Sequence, residues 1–189
     1  MTGARVRWAA RVLVMATFVS AAVAACDDDD GGNGEGDVGS RLCPTVQAWS
    51  DQSVQEVKDF RLASRGLDPE ARRARYLDAF AGLAELDDGF DGALDELDLP
   101  DPVAQRLDTA LEAVRMIVAE GEDKAASLPD EAYEFVAVSE GSLVTGVEKA
   151  KATVFAALSD LADDTSTGVP RGCGRRAALD LSPPATFPA

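Results

Sequence analysis

Between residues 43 and 162 apolar side chains recur at steps of three and four, and the Val-, Ile- and aromatic-rich runs typical of strands are lacking. That spacing paints a stripe along one side of a helix. Three proline-bearing interruptions, "SRGLDPE" (64–70), "LPDP" (99–102) and "SLPDE" (127–131), cut the region into four pieces. The pattern predicts an all-α chain with helices at about 44–64, 69–98, 102–127 and 130–162.

Each piece has a seam. The first carries Val46, Trp49, Ser53, Val57 and Phe60, and Pro44 suits a first helical position. Gly66 is read as its end, Asp68 as the cap of the second helix and Pro69 as its first residue. The second seam is Tyr76, Phe80, Leu83, Phe90, Leu94 and Leu97, a heptad-like series whose skipped position is Asp87. Asp101 and Pro102 open the third helix, with Val103, Leu107, Leu111, Val114 and Val118 on its face. The fourth seam comprises Tyr133, Val136, Leu143, Val147, Ala150, Val154 and Leu161. Short connections force neighbours to run antiparallel, so four such helices form an up-down-up-down bundle.

The first 25 residues have a different character. Residues 1–11, "MTGARVRWAAR", hold three arginines and no acid, and residues 12–25, "VLVMATFVSAAVAA", hold no charge. A basic start followed by about 14 apolar or small residues reads as a secretory signal, too short for a comfortable membrane span. It contains no adjacent arginine pair to suggest the twin-arginine route. It ends in "VAAC" (Val23, Ala24, Ala25, Cys26), which resembles the lipobox of bacterial lipoproteins. The resemblance implies that the Cys26 thiol receives a diacylglyceryl group, that the chain is cut after Ala25, and that the new amino terminus is open to acylation. Each buried lipid methylene is worth about 0.8 kcal/mol, so two or three chains hold where one would not. The expected location is the extracytoplasmic face of the cell membrane, with the lipid bilayer engaged through the Cys26 acyl chains. The plainer alternative is an ordinary signal peptide that leaves Cys26 as a spare thiol. The Ala-, Asp-, Gly- and Arg-rich composition is similar to that of small helical lipoproteins of high-GC Gram-positive bacteria.

Residues 27–42, "DDDDGGNGEGDVGSRL", contain six acids, one base and five glycines without periodicity. This composition predicts a disordered tether from 26 to 42, with a typical span on the order of 20 Å. A calcium-collecting or sorting role for the aspartates is the functional alternative. The tail from 174 to 189, with Pro183, Pro184 and Pro188, reads as loose chain. The folded domain is therefore expected to occupy 43–173.

The three cysteines are Cys26, Cys43 and Cys173. Lipidating Cys26 leaves an even pair. An up-down-up-down topology returns the end of the fourth helix to the level where the first began, which brings Cys43 and Cys173 to one end. Their disulfide would close a loop of about 130 residues and stabilise by roughly 5 kcal/mol on the chain-entropy model, and export would supply the oxidising compartment.

Composition narrows the chemistry. The 18 bases lose Arg5, Arg7 and Arg11 with the leader, which leaves 15 against 34 acids, a formal charge of −19. No nucleic-acid partner is expected of so acidic a chain without a basic patch. It contains no histidine, which removes Ser-His-Asp and Cys-His machinery and the commonest zinc ligand. No Gly-rich phosphate loop with a following lysine is present. No catalytic residue, metal site or cofactor is expected. The run "ELDDGFDGALDELD" (85–98) can be set against a calcium loop, with Asp87, Asp91, Gly92 and Asp98 at positions one, five, six and twelve. Position three is then Gly89 and position twelve Asp rather than Glu, and the same residues supply the helical seam, so the helix is preferred.

Gly89 and Gly92 predict a bend or fraying near residue 90. Gly141 and Gly146 read as small residues that let a neighbouring helix approach, or else as a kink beside a small polar pocket. That pocket would draw on Ser139, Ser142 and Thr145, with Asp87 facing them. The leading functional expectation is a non-catalytic, membrane-anchored module of the cell envelope that binds or braces an envelope protein partner. A small-ligand or cation-binding accessory lipoprotein is the alternative. A two-carboxylate enzyme comes third, because it needs a cleft that short loops seldom build.

Overall fold

The structure is a computed structural model and describes residues 36–134, 136–171 and 173. Four α-helices and two short 3₁₀ turns make up the described residues: α1 Gly36–Ala63, α2 Pro69–Asp95, α3 Asp101–Ser127 and α4 Val136–Asp163, with 3₁₀ turns at Asp130–Tyr133 and Thr165–Thr167. The fold is all-α. Cys26 and Ala25 lie outside the described residues, as does the proline-rich tail from 174 onward.

Helix direction follows from which residues meet. Trp49 stacks on Phe90 with ring centroids 5.0 Å apart, and Phe60 meets Tyr76 edge-on at 5.5 Å, so α2 descends as α1 rises. Arg115 pairs with Asp91 at 2.7 Å while Gly121 lies against Phe80, which sets α3 antiparallel to α2. Arg106 pairs with Asp160 while Val118 and Val147 line one cavity. Arg61 pairs with Glu140 at one end of α1, and a disulfide joins Cys43 near the other end to Cys173, with Cα atoms 5.0 Å apart.

The breaks do what their residues dictate. Gly66 takes a left-handed φ of 72° after α1. The Asp68 side chain accepts from the Ala71 N–H at 2.8 Å, and Pro69 begins α2. After α4, Thr167 is buried and its hydroxyl lies 2.7 Å from the Leu161 carbonyl, turning the chain back toward Cys173.

Several boundaries differ from the sequence expectation. α1 begins at Gly36, not Pro44, so the expected tether of 26–42 overlaps the helix from 36 onward, and Pro44 sits inside it. The physical reason is burial. Val38 and Leu42 join the core, and Gly39 leaves room for Pro170, whose ring would lie 2.7 Å or less from any Cβ there. α2 stops at Asp95, and Asp98 adopts a φ of 50° in the turn. Helix α4 starts later than expected because Asp130–Tyr133 forms its own 3₁₀ turn. The fraying expected at Gly89 and Gly92 is not found: α2 runs through both, and a Cβ at either would meet nothing within 4 Å.

The core has two apolar halves. One, toward the disulfide, includes Leu42, Val46, Leu94, Leu107, Val154 and Leu158. The other, toward the α1–α2 turn, includes Phe60, Tyr76, Phe80, Val118, Tyr133 and Leu143. Between them lie two buried polar residues, Ser53 and Asp87.

Candidate functional site

Four helices meet at the boundary of the two halves. From α1 come Trp49 and Ser53, from α2 Phe80, Leu83 and Asp87, from α3 Val118, and from α4 Gly146, Val147 and Ala150; together they line a cavity of about 10 Å³. Asp87 occupies the seam position that the heptad-like pattern skipped. It is 3 % exposed, so the register of α2 drives a carboxyl into the core because the residues on either side of it in the seam are large and apolar.

Its two oxygens differ. Oδ1 accepts from the Trp49 indole N–H at 2.9 Å. Oδ2 is buried without a partner among the described residues. Burial pushes the Asp87 carboxyl up to about 6, against the Trp49 hydrogen bond and Arg115, which favour the charged form; Asp88 adds a smaller upward push. Ser53 is also buried and spends its proton on the Trp49 carbonyl at 2.9 Å, which leaves its oxygen able to accept.

The serine and threonine placements differ from the expected pocket. Ser142 is exposed and hydrogen-bonds with Tyr76. Thr145 is exposed and donates to the Gly141 carbonyl at 2.8 Å. Ser139 belongs to α4, and its side chain is outside the described residues. The fold therefore lines one cavity with Asp87 and with Ser53 of α1, and not with Ser142 or Thr145. α4 turns those two to solvent because Leu143, Val147 and Ala150 claim the inward face. Of the two glycines, Gly146 lines the cavity, and neither it nor Gly141 admits a close helix approach, since no atom lies within 4 Å of a Cβ built there.

Two buried cationic groups, Arg72 and Lys151, escaped the sequence reading. Arg72, 7 % exposed, donates to the carbonyls of Tyr133, Glu134 (2.6 Å) and Leu67 (2.6 Å), and so ties the α3–α4 connection to the α1–α2 turn. One step of four back from Tyr76 along the same seam lands on Arg72, which is the signal that could have found it. Lys151 is also buried, and desolvation lowers its pKa while Asp51 and Glu148 pull the other way.

A water needs about 10–15 Å³ and two or more polar partners, and a typical organic ligand site is on the order of 300–1,000 Å³. At about 10 Å³ this cavity is far smaller than a ligand site. Among the described residues, no group of three or more His, Cys, Asp or Glu is placed to hold a metal ion, and no helix is long and apolar enough to cross a membrane. No family model matches the chain, and neither does any curated protein or solved structure.

Proposed function

We propose that this chain is a lipid-anchored module on the outer side of the cell membrane, in which a non-catalytic helical bundle binds or braces another envelope component. The observation that carries the reading is "VAAC" at the end of a basic-then-apolar leader, with small residues at the two positions before Cys26. The cysteine count supports it, because Cys43 and Cys173 pair and Cys26 is the odd thiol.

Metabolic labelling with a radioactive or clickable palmitate tests the anchor. The wild-type chain should incorporate label and sediment with membranes, whereas Cys26→Ser should do neither. A Cys26→Ser chain that still carries label, or a wild-type amino terminus that proves to be an unmodified Cys26 or an intact leader, would refute the anchor. Crosslinking in intact cells tests the second half: recovery of one stoichiometric envelope protein is expected, and a bundle that crosslinks to nothing would refute the partner.

A further inference from the structure

We propose that the layer around Asp87 is a proton-binding site: the carboxyl takes up a proton in the packed bundle under mildly acidic conditions, and its ionisation loosens the joint between the two apolar halves. The inference stands on the fold and does not depend on whether Cys26 carries lipid.

The geometry treats the two oxygens of Asp87 as those of an acid. Oδ1 has a donor aimed at it, as a carbonyl-like oxygen should. Oδ2 has none, although a carboxylate would need donors at both. A proton on Oδ2 turns that orphan acceptor into a donor and removes the buried charge. Neutral, the layer buries no charge. Charged, it buries a carboxylate with a single protein donor, which is costly.

The surroundings do little to rescue the charge. From α1 the layer presents Trp49 and Ser53, and from α4 Gly146, Val147 and Ala150, none of which is charged at neutral pH. From α3, Arg115 attracts the carboxylate, but it is exposed and bonded to Asp88 and Asp91. From α2 itself, Asp88 repels it. Lys151, the next residue on α4 after Ala150, feels Asp51 and Glu148.

The sign of the effect is fixed by linkage. A carboxyl raised from 3.8 to about 6 on folding binds more protons folded than unfolded between those values. Its stabilising contribution is therefore full below pH 4 and lost as pH rises through 6. The test is urea denaturation of the full chain in detergent from pH 4 to pH 7, read by circular dichroism, for wild type and Asp87→Asn, whose amide mimics the neutral acid. Relative to the variant, the wild-type folding constant should fall on the order of fifty-fold across that range. Parallel pH dependences would overturn the proposal. Should the variant not fold, carbon NMR on the wild-type chain decides the matter by itself. A side-chain carboxyl midpoint near 6 for Asp87, shared by the Trp49 indole N–H resonance, supports it, and a midpoint at or below 4 refutes it.

Discussion

Trp49 and Asp87 each lie in a seam, and each would be a liability alone. A buried indole N–H needs an acceptor and a buried carboxyl needs a donor, and here one bond of 2.9 Å serves both. Trp49→Phe keeps the stacking surface against Phe90 and removes only the donor. It should destabilise the domain by about 1–3 kcal/mol at neutral pH and push the Asp87 titration further up, measurable by urea denaturation followed by circular dichroism and by carbon NMR. Arg72 offers a different case, because its planar fork spans three carbonyls that belong to two connections. Arg72→Lys retains the charge without the fork. Its expected cost is about 2 kcal/mol, with faster hydrogen exchange confined to amides near 130–134.

Glycines with the same helical propensity cost have opposite roles in α2 and α3. Gly92 faces open space on α2, so Gly92→Ala should stabilise by about 1 kcal/mol through propensity alone. Gly121 on α3 lies under the Phe80 ring, where a methyl would overlap the aromatic carbons. Gly121→Ala should therefore destabilise by roughly 1–3 kcal/mol from overpacking. A pair of thermal melts compares them, and equal shifts would contradict the packing described for Phe80. Similar logic explains why α1 starts early. A glycine- and acid-rich stretch has low helical propensity, yet Val38 and Leu42 bury fully enough to hold it, and tertiary contact outweighs local preference.

The disulfide acts over the longest range in the chain. Cys43 and Cys173 are 130 residues apart, so the bond encloses every helix after the first turns of α1. Reduction should lower stability by up to about 5 kcal/mol on the chain-entropy model, while helical content at room temperature stays near its starting value because both apolar halves remain packed. Thermal unfolding with and without reductant checks this. The acids on the surface repel one another across an otherwise small domain, and that repulsion adds to the benefit of protonating Asp87 at low pH. The Asn variant shares the surface term, which is why the comparison isolates the buried carboxyl.

Helix number, the Gly66–Asp68–Pro69 break and most of the apolar seams were readable from residue spacing, because periodicity and capping are local properties of the backbone. The same reading flagged Asp87 as the odd member of its seam. Its partners were not readable. Trp49 and Ser53 sit 38 and 34 residues earlier, and only the relative register of α1 and α2 brings an indole N–H against one carboxyl oxygen and leaves the other without a partner among the described residues. Ser142 and Thr145 illustrate the converse. Their spacing placed them beside Gly141 and Gly146, but a rotation set by Leu143, Val147 and Ala150 turned them to solvent. Hydrophobic period is written along one strand of sequence, whereas the pairing of buried polar atoms is settled by how whole helices rotate and slide to bury the apolar area around them.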